Sequence, residues 1–139
     1  MPIQQSDVLY TAVATAENGR DGRVATDDGR LDVVVNPPEE MGGSGAGTNP
    51  EQLFAAAYSA CFQGALGLVA RKEGVDVTGS TVTAKVGIGK NADGFGILVE
   101  ISADIPDVDG DTARGLVEKA HQVCPYSKAT RGDVTVTLA

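Results

Sequence analysis

Apolar and polar residues alternate with period two in two stretches near the middle of the chain. In "VTGSTVTAKVGIG" (77–89), Val82, Ala84, Val86 and Ile88 share one face. In "GFGILVEISADI" (94–105), Ile97, Val99, Ile101 and Ala103 do. Period two is the repeat of a half-buried strand, and "KNADG" between the stretches supplies a turn. "LYTAVATA" (9–16) reads as an earlier strand, with "ENGRDG" as the turn after it. "RVATDDGRLDVVV" (23–35) reads as a hairpin with a two-residue turn at Asp28-Gly29. The period changes in "DVDGDTARGLVEKAHQV" (107–123), where Ala113, Leu116, Val117 and Ala120 line one face of an amphipathic helix. "CPYSKATRG" (124–132) is a short connector with room for one helical turn, and "DVTVTLA" (133–139) is a closing strand.

One segment has no polar face at all. From Leu53 to Ala70 the chain runs 18 residues without a charge. Asn49 suits an N-cap, Pro50 the first helical position and Gln52 a capping box, so a helix is expected from Pro50 to about Lys72, stopping at Gly74. Its length would permit a membrane span. Tyr58, Ser59, Gln63 and the many alanines point instead to a buried core helix. A helix apolar on every face must be covered on every face, and one small sheet cannot do that. A second copy of the chain can, so a homodimer is expected. Helices segregated from hairpins indicate an α+β fold, here a single domain over residues 1–139 without repeats.

The net charge is −8 and the sequence pI about 4.4. Nucleic acid and anionic membrane surfaces select clustered Lys and Arg, so neither is an expected partner. "MPIQQSDVLY" has no basic n-region and no apolar h-region, which points to a cytoplasmic protein. The glycine-rich "NPPEEMGGSGAGTNP" lacks the lysine and the spacing of a phosphate-binding loop. With one histidine there is no Cys/His zinc cluster, and no metal is expected.

The two cysteines, Cys61 and Cys124, are too few for a disulfide scaffold. Cys61 sits inside the apolar helix, where a free thiol is commonly an inert small hydrophobe. A reactive Cys61 would gain nothing from the helix dipole, which acts only near the ends, and would need a nearby cation. Arg20 in "NGRDG" is a candidate, or else a solvated turn residue. Glu51 favours the helix dipole where it stands, and could also orient an arginine through a bidentate pair. Ten residues at 1.5 Å rise separate it from Cys61 by about 15 Å, so the two cannot touch within one helix. An antiparallel copy of the helix would bring one chain's Glu51 towards the other's Cys61.

Several stretches together resemble one family: "LYTA", "GRDGRV", "DGRLDV", "GTNPEQLFAAAYSACFQGAL", "TAKVGIG", "GFGILVE" and "AHQVCPYSKATRG". In that order, over nearly the whole chain, they are similar to the organic hydroperoxide resistance (Ohr) branch of the OsmC/Ohr family. Lys128 and Asp133, around "ATRG", are small departures at positions that carry no catalytic role in the family. The resemblance implies two β-sheets wrapped around long central helices in an intertwined homodimer. It implies a thiol peroxidase that reduces organic hydroperoxides, fatty-acid-type ones included, to alcohols. Cys61 would be the peroxidatic cysteine and Cys124 the resolving one, closing an intramolecular disulfide. Arg20 and Glu51 match the family's functional arginine and glutamate. No bound cofactor is expected; the reductant implied is dihydrolipoamide or a lipoylated enzyme subunit. Leu53, Phe54, Tyr58, Phe62 and Tyr126 are candidate lining residues for an apolar substrate, or simply core. Tyr126 and His121 stand near Cys124 in sequence with no fixed role. An OsmC-like peroxidase of broader substrate range, a cysteine acyl-transferase or thioesterase, and an apolar-ligand binder with inert cysteines are the other readings. The acyl-transferase would want a histidine base beside Cys61, whereas His121 is three residues from Cys124.

Overall fold

The computed structural model describes residues 2–139, which fall into two compact units, one ending at Pro50 and one running from Glu51 to Ala139. The first unit is a three-stranded antiparallel sheet: β1 (Ala14–Glu17), β2 (Gly22–Thr26) and β3 (Asp32–Val35), in the order β1-β2-β3. The strand expected from Leu9 begins only at Ala14. Its first partner in the ladder, Thr26, is the last residue of β2; beyond that pair a single bond, Asp27 N–H to Val13 C=O at 3.1 Å, continues the contact, and Leu9 is 100% exposed. The β2–β3 hairpin is also wider than the two-residue turn expected. Thr26 N–H donates to Leu31 C=O at 2.8 Å, leaving four residues between them. Asp28 explains the extra length: its carboxylate accepts from the Thr26 hydroxyl (2.7 Å) and the Arg30 N–H (3.0 Å), a local alternative to the tight turn. Those bonds hold the Asp28 carboxyl below its ordinary pKa.

The glycine-rich loop after β3 is folded onto the sheet end. Thr48 N–H donates to Val34 C=O and Asn36 N–H to Thr48 C=O, a parallel bridge beside Val35. A Cβ on Gly47 would lie 2.5 Å from the Val34 oxygen, so glycine there serves close backbone approach.

The second unit opens with α1 (Pro50–Glu73). The helix ends in a Schellman motif: Gly74 is left-handed at φ +69°, its N–H donates to Arg71 C=O, and Val75 N–H donates to Ala70 C=O. Then come β4 (Thr81–Asn91), β5 (Gly94–Asp104), α2 (Gly110–Val123), α3 (Pro125–Thr130) and β6 (Thr135–Leu138). Asp109 caps α2, accepting from Thr112 N–H at 3.1 Å. The sheet order is β4-β5-β6, with β4–β5 antiparallel and β5–β6 parallel.

The two alternating stretches pair face to face. Val82 opposes Ala103, Ala84 opposes Ile101, Val86 opposes Val99 and Ile88 opposes Ile97. β6 adds Val136 beside Val99 and Leu138 beside Ile101. This face joins Tyr58, Phe62, Ala65, Leu66, Val69 and Ala70 of α1, and Leu116 and Ala120 of α2, in one hydrophobic cluster. By length and hydropathy α1 would pass for a membrane span, yet these six of its residues belong to the core. A stripe at helical spacing, Gln52, Ala56, Ala60, Gln63, Gly64 and Leu68, is exposed within the single chain.

Ile101 is fully buried between β4 and β6. Ile101→Ala should therefore cost about 2–5 kcal/mol, the usual range for emptying an aliphatic core site. Lys85→Ala, on the exposed face, should cost less than about 1 kcal/mol. Denaturant melts of the two variants measure the contrast.

Candidate active site

Three helices bring the cysteines together. Cys61 lies at the start of the fourth turn of α1. Cys124 follows α2 and precedes α3, serving as C-cap of one and N-cap of the other. Pro125 explains the break: it has no N–H to continue α2, and it biases the residue before it towards extended backbone. Cys124 sits at φ −63°, ψ 123° accordingly. Its N–H still donates to Ala120 C=O, and its own C=O accepts from Lys128 N–H. The bend aims the fully buried Cys124 thiol at Cys61, with Sγ···Sγ 3.7 Å. A disulfide is about 2.05 Å long, so these are two thiols in contact and unbonded.

Burial is the main influence on Cys61 and pushes its thiol pKa up, because the thiolate loses water. The Tyr126 backbone N–H, in the first turn of α3, opposes this by favouring the thiolate. The Cys124 thiol raises the pKa further. Within the second unit the balance favours the neutral thiol.

Beside the sulfurs lies an aromatic group. Phe54, Tyr58 and Tyr126 meet with centroids 5.8–6.1 Å apart, two of the three pairs edge-to-face. Phe54 and Tyr126 also line a cleft of about 330 Å³ with Ile97, Ala129, Thr130 and Val134, and Asp133 beside them. Of the other lining candidates, Leu53 is half-buried and does not line this cleft, while Tyr58 and Phe62 are fully buried in the core. Arg20 belongs to the β1–β2 loop of the first unit. That loop needs Gly22, where a Cβ would stand 2.0 Å from the Glu17 oxygen. Glu51 is in the first turn of α1. Among the described residues no three His, Cys, Asp or Glu side chains gather to hold a metal ion.

One feature has no sequence signal. The Ser127 hydroxyl, fully buried, bonds to the Tyr58 hydroxyl at 2.7 Å and to His121 Nδ1 at 2.8 Å. The one histidine is thus engaged with a serine. Burial, and then the charge of Arg131, depress its pKa. The Arg131 guanidinium donates to the His121 carbonyl.

A lowered folded-state pKa means that the unfolded chain binds the proton first. His121 therefore contributes stability above about pH 6.5 that is lost as pH falls through its depressed pKa. The drop in melting temperature between pH 7 and pH 5 should be smaller in His121→Gln than in the unaltered protein. Equal slopes would mean that His121 ionises freely.

The family model described as OsmC-like protein matches residues 42–139. The organic hydroperoxide resistance protein of Xanthomonas axonopodis pv. citri is 52% identical over 133 residues, covering 94% of both chains. The crystal structure of an organic hydroperoxide resistance protein from Elizabethkingia anophelis superposes with TM-score 0.89 at 51% identity, covering 95% of this chain and 96% of that one. The organic hydroperoxide resistance protein OhrB of Bacillus subtilis gives TM-score 0.86 at 44% identity, covering 94% and 98%.

Proposed function

The chain belongs to the OsmC family, on the branch of the organic hydroperoxide resistance proteins, and on that premise we propose a cytoplasmic, thiol-dependent peroxidase that reduces organic hydroperoxides to alcohols. The observation that carries this reading is the contact of two thiols at 3.7 Å, one buried and one half-buried, with Tyr126, two residues after Cys124, on the wall of a largely apolar cleft. The Cys61 thiolate attacks the distal peroxide oxygen. The O–O bond breaks, the alkoxide takes a proton and leaves as the alcohol, and Cys61 becomes a sulfenic acid. Cys124 then attacks the Cys61 sulfur, water leaves, and an intramolecular disulfide protects the sulfur from further oxidation. A dihydrolipoyl thiol, free or on a lipoylated enzyme subunit, returns both cysteines to thiols.

The surroundings support an apolar substrate, fatty-acid-type hydroperoxides among them. Phe54, Ile97, Ala129 and Val134 offer a hydrocarbon chain an apolar wall. The same burial works against the thiolate, so the reaction calls for a cation at Cys61. We assign that role to Arg20, oriented by Glu51. We also assign a homodimer, with a second copy covering the exposed stripe of α1 from Ala56 to Leu68. A cysteine acyl-transferase would need an imidazole on its sulfur, and here His121 Nδ1 bonds to Ser127 instead.

Thiol titration tests the reading. One equivalent of cumene hydroperoxide should remove both thiols of the unaltered protein, and non-reducing electrophoresis should show a band at monomer size. Cys61→Ser should keep its remaining thiol. Cys124→Ser should consume one equivalent and stop. A protein that keeps both thiols is no peroxidase, and a covalent dimer would rule out closure within one chain.

Arg20→Ala should raise the Cys61 pKa by about one to three units, the usual effect of removing an opposite charge a few ångströms away. The midpoint of iodoacetamide reactivity against pH should rise accordingly, and Glu51→Ala should shift it the same way but less. An unmoved midpoint would return Arg20 to the status of a turn residue.

A further inference from the structure

We propose that the Ser127 hydroxyl is a positioning group for disulfide closure: held between Tyr58 on α1 and His121 on α2, it sets the distance between the two thiols. The three residues are spaced in a way that makes this so. Tyr58 is three residues before Cys61 on α1, and His121 is three residues before Cys124 at the end of α2. In a helix that interval is one turn on the same side. Ser127 lies three residues after Cys124, in the first turn of α3. Its two bonds, 2.7 Å to Tyr58 and 2.8 Å to His121, therefore tie the helix of one thiol to the helix end of the other, one turn from each sulfur. The same first turn carries the Tyr126 N–H, which favours the Cys61 thiolate.

Tyr58, Ser127 and Cys124 are all fully buried. Water cannot replace a broken bond there, so the link is held more firmly than a surface hydrogen bond. Closure needs little motion: the sulfurs must come from 3.7 Å to a bonded length of about 2.05 Å. A small required displacement is worth most when the partners are held in register, and a misplacement of about 1 Å can cost about a hundredfold in rate. Ser127 touches no reacting atom; it acts through the backbone that carries Cys124 and Tyr126.

The step served rests on the peroxidase reading above and balances without a further reagent. Cys61–S–OH and Cys124–S–H give the disulfide and water. The S–O bond breaks as the S–S bond forms, the Cys124 sulfur is oxidised and the Cys61 sulfur reduced. The thiol proton leaves on the departing hydroxyl.

Tyr58→Phe and Ser127→Ala test the clamp, each removing one oxygen. Each reduced variant is mixed with one equivalent of cumene hydroperoxide, and the Cys61 sulfenic acid is captured with dimedone at successive times while disulfide is counted by mass. Closure is also driven with diamide, an azo oxidant that takes two electrons and two protons from the thiol pair. Closure should slow about tenfold or more in both variants by both routes. The dimedone adduct should rise, and Cys61 oxidation should slow by a smaller factor. The double variant should close no more slowly than Ser127→Ala alone, because one link is lost once. Closure at the unaltered rate, or closure and oxidation slowed in equal proportion, would overturn the proposal, since a merely structural triad predicts one of these. If Ser127→Ala does not fold, Tyr58→Phe decides. If the unaltered protein ignores the hydroperoxide, the peroxidase reading fails, and the diamide route still judges the clamp.

Discussion

The sulfur pair depends on one break in the helical path, between Cys124 and Pro125. Had α2 run on, Cys124 would lie along its side and its thiol would follow the helix surface. The proline ring removes the N–H that would continue the ladder and favours an extended backbone at the residue before it. One residue then closes α2 and opens α3. Three groups turn towards α1 as a result: the Cys124 thiol, the Tyr126 N–H and the Ser127 hydroxyl. A substitution that let the helix continue would disperse all three together.

The break works only against something fixed, and α1 is fixed by its core face. Tyr58, Phe62, Leu66 and Val69 recur at three- and four-residue spacing and are buried with Val99 and Ile101 of β5. Cys61 is adjacent to Phe62, at the margin of that face, and is therefore half-buried while its neighbour is wholly enclosed. The core thus sets both the position of Cys61 and the desolvation that burdens its ionised form.

What the sequence reveals follows from which interactions are local. The β4–β5 pairing was readable because period two in each strand and the short turn between them leave one register that joins both apolar faces. The stop at Gly74 was readable because a left-handed residue selects glycine. The start of β1 was not, since an alternating segment becomes a strand only where a partner exists, and β2 ends at Thr26. The β2–β3 loop is longer than its sequence suggests because Asp28 bonds to Thr26 and Arg30, a side-chain choice that the Asp-Gly pair does not announce. At the site, Cys61 and Cys124 stood out as the only thiols, and Phe54 and Tyr126 as aromatic neighbours. Ser127 was invisible: a lone serine in a connector has no periodicity, and its partners lie 69 and 6 residues away in the chain.

The site also shows two demands pulling against each other. Enclosure in the hydrophobic cluster keeps Cys124 out of solvent, as an apolar substrate under the proposed function would want. The same dryness raises the Cys61 pKa, and each unit of rise is about 1.4 kcal/mol against the thiolate. The Tyr126 N–H offsets part of that rise by giving the charge a donor where water is absent. Wetting the site would restore the thiolate and lose the apolar selectivity; deeper burial would do the reverse. A fixed positive charge escapes the dilemma, because it favours the ionised sulfur without admitting water. In a chain of net charge −8 that charge has to be local, since the field of the whole molecule works against an anion. An arginine suits such a requirement better than a lysine, because its charge persists when desolvated and its planar fork can be held by a carboxylate.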